Sequence, residues 1–354
     1  MTVAPRDDLV ALEGYHSTQV SVDVRLNTNE SPAPPPDGWV DDLTRAVAEV
    51  EWHRYPDRGA RELRARIAAM HGVAPEQVFA ANGSNEVLQC LLLTYGGPGR
   101  TVGVFEPTYA LHSHLAHITG TGVVVGERTA DFALDPAEVE RVVNGGRPTV
   151  TFLCSPNNPT GVVEPEVVVR DVLAKVEAVD GLLVVDEAYG QFAPWSALTL
   201  IDDDRPLCVT RTFSKTWSMA AARLGYVVGP SWLIAELDKV TLPYHLDALK
   251  QAAGTLALDY EDAMDERVAA IVEERGRLVT RLRDLDVDVW PSGANFVLFR
   301  PRSGDGDGVW QGLVDRSVLV RNCASWPRLD GCLRVTIGTP DEDDRFLDAL
   351  EEIL

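Results

Sequence analysis

Short apolar runs of strand length recur along the chain, at residues 101–105, 149–154, 182–185, 207–210 and 224–228, and each run is followed by a polar stretch. Runs without polar alternation predict strands buried on both faces, the pattern of a mainly parallel sheet. Residues 58–71, 86–95 and 164–178 separate their charges from their apolar residues at helical spacing, which supplies helices to cover such a sheet. The alternation predicts an α/β fold. Beyond about residue 243 the pattern changes to a long charged helical stretch at 260–285 and short strands at 295–299 and 333–337, the mark of a smaller second α/β domain. Pro32, Pro34, Pro35 and Pro36 predict an extended segment after an N-terminal arm. The expected organisation is an arm over residues 1–30, a large domain over 31–243 and a small C-terminal domain over 244–354. No internal repeat is visible.

With 54 acidic and 32 basic residues the formal charge is −22, a surface that repels nucleic acid and anionic membranes, so neither is expected as a partner. Binding of a phosphate would have to come from local arginines, backbone amides and helix N-termini, which act over a few ångströms. Five cysteines without a C-x-x-C pair predict reduced thiols, and the chain has neither an apolar leader nor a run of membrane-spanning length. A cytoplasmic protein is expected. Residues 304–308 alternate glycine and aspartate but lack the remaining ligands of a calcium loop, so a solvated hairpin turn is expected there. His112, His114 and His117 have no companion carboxylate or thiol at metal spacing, and no metal site is expected.

Four segments carry candidate chemistry. Thr212-Phe213-Ser214-Lys215 follows an apolar run, and Arg223 stands eight residues beyond the lysine. At a strand end, desolvation and nearby cations lower an amine's pKa and make it a nucleophile toward an aldehyde, while Ser214 and Arg223 can hold a phosphate beside it. The run 182–185 ends in Asp186, with Tyr189 three residues on. A carboxylate there can pair with a protonated pyridine nitrogen, and a phenol can bond to a ring oxygen. Ser155-Pro156-Asn157-Asn158-Pro159 places an amide side chain rigidly beside the same position. Asn82-Gly83-Ser84-Asn85 precedes a helical stretch, where free amides form an anion site. Taken singly, each segment could equally be a solvated lysine, a turn or a helix cap.

In this order, however, the segments resemble the fold-type I pyridoxal-phosphate aminotransferases, over about residues 15–338. More narrowly the chain is similar to the histidinol-phosphate aminotransferases, with further matching pieces at 26–32, 55–57, 107–109, 242–246, 292–296 and 332–338. The resemblance implies a large cofactor domain and pyridoxal 5′-phosphate carried by Lys215 as a Schiff base. It implies Asp186 on the pyridine nitrogen, Asn158 and Tyr189 on the ring oxygen, and Tyr109 stacked on the ring. The cofactor phosphate would be held by the amides of Ser84 and Asn85, the Ser214 hydroxyl, Arg223, and Tyr55 of a neighbouring subunit, so a homodimer with shared sites is implied. On the substrate side it implies Arg334 at an anionic end, Arg321 and Tyr15 favouring a phosphate, and Asn29 among the binding residues.

The implied reaction is transamination between L-histidinol phosphate and 2-oxoglutarate. An aromatic amino-acid aminotransferase is the nearest rival, favoured by Trp217 beside the lysine motif, and a decarboxylase of phosphorylated amino acids is a more distant one. A cofactor-sensing transcription regulator would need a basic DNA-binding domain, which nothing here supplies. The chain departs from the family pattern at residues 216–219, at Ala222 and at Asn85, which stands where an aspartate is frequent.

Overall fold

The computed structural model describes residues 3–10, 12, 14 and 20–354. Their strands are, in chain order, β1 (Val24–Leu26), β2 (Val78–Ala81), β3 (Thr101–Glu106), β4 (Gly122–Glu127), β5 (Val150–Cys154), β6 (Leu182–Asp186), β7 (Leu207–Thr212), β8 (Gly225–Val228), β9 (Val287–Val289), β10 (Phe296–Pro301), β11 (Val318–Asn322) and β12 (Leu333–Thr336). They form a seven-stranded sheet in the order β2-β8-β7-β6-β5-β3-β4 and a five-stranded sheet in the order β1-β11-β12-β10-β9.

Every residue of β5, β6 and β7 is buried, which a strand permits only when both faces are covered. Successive side chains go to opposite faces: Leu182 and Val184 join the core under helices Ser84–Tyr95 and Ser231–Val240, and Leu183 and Val185 join the core under helix Glu166–Ala178. Each such side chain contributes roughly 1.5–3 kcal/mol on burial. The pairs β3–β4, β3–β5, β5–β6 and β6–β7 are parallel, as the unbroken apolar runs predict. The run at 224–228 behaves differently, since β8 lies antiparallel between β2 and β7.

The smaller sheet is antiparallel except where β1 pairs parallel to β11, with Val24 opposite Val318. Helices Glu261–Arg283 and Pro340–Ile353 supply its core through Ile271, Leu278, Phe346 and Leu350. β1, which the sequence reading assigned to an arm, is thus a strand of the sheet built from the other end of the chain. After β1 the chain runs through helices Asp37–Ala48 and Arg61–His71 before it enters the large sheet at β2. The glycine and aspartate stretch at 304–308 is not a hairpin: Asp305 caps helix Gly306–Asp315, its Oδ1 accepting the Gly308 amide at 2.8 Å. An aspartate before a helical run is an N-cap signal that glycine-rich composition obscured.

All five cysteines are free and buried. Among the described residues, no helix is long and apolar enough to cross a membrane, and no group of three or more His, Cys, Asp or Glu side chains is gathered to hold a metal ion.

Candidate active site

The parallel strands β5, β6 and β7 end on one side of the large sheet, the side where ligands bind in such folds. Asp186 is the last residue of β6, Asn158 follows β5 by four residues, and Lys215 follows β7 by three. Together with Tyr189, Ser214 and Arg223 they line one cavity.

Asp186 is buried, and both of its oxygens are occupied. Oδ1 accepts from the Ala188 amide at 3.1 Å and the Thr210 hydroxyl at 3.2 Å, and Oδ2 lies 3.1 Å from Nε2 of His112. His112 is fully buried, stacked on Phe152 at 4.6 Å and edge-on to Tyr109 at 5.5 Å. A carboxylate can only accept, so Nε2 carries the proton, and the buried Nδ1 has no partner among the described residues.

Lys215 is half-buried, and its ammonium donates to the Thr28 carbonyl at 3.1 Å. Burial first, and then the positive charges of Arg334 and Arg223, bring its pKa down to about 7, against the opposing pull of Glu30. At neutral pH a large share of this amine is therefore an unprotonated nucleophile.

A second group of donors collects at the other end of the cavity. Gly83, at φ 81°, turns the chain into helix Ser84–Tyr95, and the amides of Ser84 and Asn85 have no acceptor among the described residues. Gly225 lets β8 pass close by: a Cβ there would lie 2.2 Å from the Ser84 nitrogen. Arg223, in the left-handed region at φ 52°, donates to the Ser214 hydroxyl at 3.3 Å. Two free amides, a hydroxyl and a guanidinium at a helix N-terminus make a cradle for a phosphate. The Tyr109 hydroxyl donates to Asn85 Oδ1 at 3.2 Å, a role an aspartate could also fill.

The facing wall comes from the small sheet. Arg321 and Arg334 stand directly opposite each other across β11 and β12. Both guanidinium groups lie against Trp326, 5.5 and 5.8 Å from its ring centre. Arg334 donates to Asn158 Oδ1 and to the Asn27 carbonyl, and its buried Nε has no acceptor among the described residues. Because Asn158 Oδ1 is taken by Arg334, the amide nitrogen of Asn158 is the end left for a ligand. Asn29 is buried at φ 54°, and its Nδ2 donates to the Tyr189 hydroxyl at 2.9 Å.

Residues 21–350 match the family model described as aminotransferase class I and II. The chain belongs to the aminotransferase class I and II family. This aminotransferase is 46% identical to a histidinol-phosphate aminotransferase of Frankia casuarinae, over 99% of this chain and 90% of the relative. It is 43% identical to a histidinol-phosphate aminotransferase of Streptomyces avermitilis, over 98% of this chain and 96% of the relative. A crystal structure of the histidinol-phosphate aminotransferase from Clostridium acetobutylicum has the same fold, with a TM-score of 0.86 at 21% identity over 93% of this chain and 98% of that one.

The enzyme depends on pyridoxal 5′-phosphate, and the cavity fits it: a depressed lysine, a buried carboxylate and unpartnered amides match an aldehyde, a ring nitrogen and a phosphate. Fold class, family and cofactor agree with the expectations from sequence. Of the residues singled out there, the structure brings Ser84, Asn85, Tyr109, Asn158, Asp186, Tyr189, Ser214, Lys215, Arg223, Arg321 and Arg334, with Asn29, around this cavity. Tyr55 is not among them; it is 79% exposed and stacks on Tyr244 at 4.4 Å. Tyr15 lies outside the described residues.

Trp217, suspected of shaping the pocket, instead packs in the core against Phe213 at 5.5 Å, away from the cavity. Two participants escaped sequence reasoning. His112 shares a buried helix stripe with Leu115 and Ala116 at i+3 and i+4, a signal that was available. Trp326 sits in an irregular connection between β11 and β12, where no periodicity marks it.

Proposed function

We propose that the aminotransferase moves the amino group of L-histidinol phosphate to 2-oxoglutarate, giving imidazole-acetol phosphate and L-glutamate. The observation that carries this reading is the pair Arg321 and Arg334, cross-strand neighbours facing the Lys215 cavity in a chain of charge −22. Two guanidinium groups gathered at one point overcome the unfavourable long-range field and suit a doubly charged phosphate better than an uncharged ring. The 46% and 43% identical relatives carry the same name as this activity.

When bound, pyridoxal 5′-phosphate supplies an electron-withdrawing ring that stabilises charge developing on the carbon next to the transferred nitrogen. Lys215 would anchor it through its amine, and its Nζ would be the group to take the proton from the amine-bearing carbon of the substrate. Asp186, backed by His112, would keep the ring nitrogen protonated. Ser84, Asn85, Ser214 and Arg223 would hold the phosphate, Asn158 and Tyr189 the ring oxygen, and Tyr109 the ring face. Arg334, Arg321 and Tyr15 would receive the anionic end of the donor, and Arg334 alone the distal carboxylate of glutamate.

Tyr55 is proposed to complete the phosphate site of a second copy in a homodimer. Supporting this, Tyr55 is exposed and stacks on the exposed Tyr244, and Trp52 and Leu242, close to them in sequence, are exposed as well. The five buried thiols suit a reducing cytoplasm.

The test is a single-turnover mixing experiment without oxo acid, following the visible absorbance of the bound cofactor. Histidinol phosphate should discharge it far faster than phenylalanine, and the reverse order would make the enzyme an aromatic aminotransferase. Release of carbon dioxide from a phosphorylated amino acid would make it a decarboxylase.

A further inference from the structure

The hydrogen bonds around Asn29 have a direction, because one of them begins at a backbone amide. The Asn29 N–H can only donate, and it donates to the Thr336 hydroxyl at 3.0 Å. With a lone pair of Thr336 so occupied, its own proton goes to Asn29 Oδ1 at 3.1 Å. That fixes the amide: Nδ2 faces Tyr189 and donates to its oxygen at 2.9 Å. The flipped amide would give the Thr336 hydroxyl a second donor and leave its proton with no acceptor in a buried site, an arrangement that costs free energy. Further bonds hold residues 28 and 29 in place. The Asn29 carbonyl accepts from Asn295 Nδ2 at 3.2 Å, and the Thr28 carbonyl takes the Lys215 ammonium.

The consequence falls on Tyr189. Its oxygen accepts a hydrogen bond from Asn29 Nδ2, and its own hydroxyl hydrogen has no acceptor among the described residues, although the side chain is 5% exposed and lines the cavity. We infer that Asn29 and Thr336 are positioning residues which force Tyr189 to act as a hydrogen-bond donor into the cavity, toward an anionic oxygen of the bound cofactor. Asn29 therefore works through Tyr189 in addition to any contact of its own with substrate. Thr336, two residues beyond Arg334 on β12, ties this donor to the strand that carries the substrate arginine. The inference rests on the reading that Tyr189 faces the cofactor's ring oxygen.

The test is the pH titration of the visible absorbance of the holoenzyme without substrate. A donor to the ring oxygen favours the form of the bound cofactor that has lost its proton, so losing the donor moves the midpoint up. Tyr189→Phe should raise it by about one pH unit, the worth of a hydrogen bond to a charged acceptor. Asn29→Asp turns the acceptor end toward Tyr189, recaptures its proton and should raise the midpoint by a similar amount. Thr336→Val, which frees the amide to flip, should raise it less, and Thr336→Ser should leave it in place. If Tyr189→Phe raises the midpoint while Asn29→Asp and Thr336→Val do not, the relay is refuted and the Tyr189 contact stands. If Tyr189→Phe leaves it unmoved, the contact itself is wrong and the relay falls with it. Because Thr336→Val removes one buried hydroxyl only, it keeps the test decisive should Asn29→Asp fail to fold.

Discussion

The two walls of the cavity are built on different principles. The large-sheet wall takes its residues from the ends of adjacent parallel strands, so Asn158, Asp186 and Lys215 each lie within four residues of a strand terminus. The small-sheet wall takes Asn29 from one end of the chain and Arg321, Trp326 and Arg334 from the other, joined by the pairing of β1 with β11 and of β11 with β12. The first wall holds groups suited to the reaction shared by all amino donors. The second holds guanidinium groups suited to choosing among donors. Chemistry and selectivity are therefore separable by substitution.

The largest effect should come from the first wall. Lys215→Ala removes the nucleophile and the proton carrier together, so turnover should fall by about 10⁴ or more for every donor, with loss of the borohydride-trappable linkage. Full activity in that variant would dismiss the assignment.

On the second wall, Arg334→Ala should lower kcat/KM for a phosphorylated donor by about a hundredfold, since it leaves the anion without its buried partner. Arg321→Ala should cost about tenfold, mainly in KM. Steady-state kinetics with histidinol phosphate and with histidinol, the same donor without its phosphate, checks both. Equal losses for the two classes of donor would merge the walls into one.

His112→Phe, behind Asp186, should reduce kcat for all donors alike by roughly tenfold and leave the ratio between donors unchanged. A change in that ratio would place His112 with the selectivity residues.

The smallest effect is a pH dependence. Lys215 has its pKa lowered to about 7, so below that pH its amine is protonated and uptake of pyridoxal 5′-phosphate by cofactor-free protein slows about tenfold per unit. Above about 7 uptake should level off. Uptake that keeps rising to pH 10 would mean an ordinary exposed lysine. The same shift makes the cofactor-free fold gain stability as pH rises from about 7 toward 10.5, because there the unfolded chain binds the proton that the folded one has released.

Legibility in the sequence followed the same division. Asp186 and Lys215 were readable because unbroken apolar runs ending in a charged or polar residue identify strand ends without help from the rest of the chain. Helix boundaries were readable to within about three residues, as where residues 58–71 begin as a helix only at Arg61, after Ala60 at φ 44°. β1, only three residues long and with Arg25 exposed between buried Val24 and Leu26, carries too little pattern to reveal its partner. His112 lacks the companions of a metal ligand, and its legible signal was instead the buried helix face it shares with Leu115 and Ala116.

From sequence alone came the α/β class, the family resemblance and Lys215 as the candidate anchor, all drawn from local periodicity and from residue order along the chain. Tertiary structure alone decided that Asn29 Nδ2 donates to the Tyr189 hydroxyl, that Arg321 and Arg334 meet beside Trp326, and that Trp217 does not enter the pocket. Those outcomes depend on register, on hydrogen-bond direction and on side chains that arrive from some three hundred residues apart, such as Asn29 and Thr336. No local pattern encodes a contact whose partners are that distant; the fold that brings residue 29 against β12 creates it.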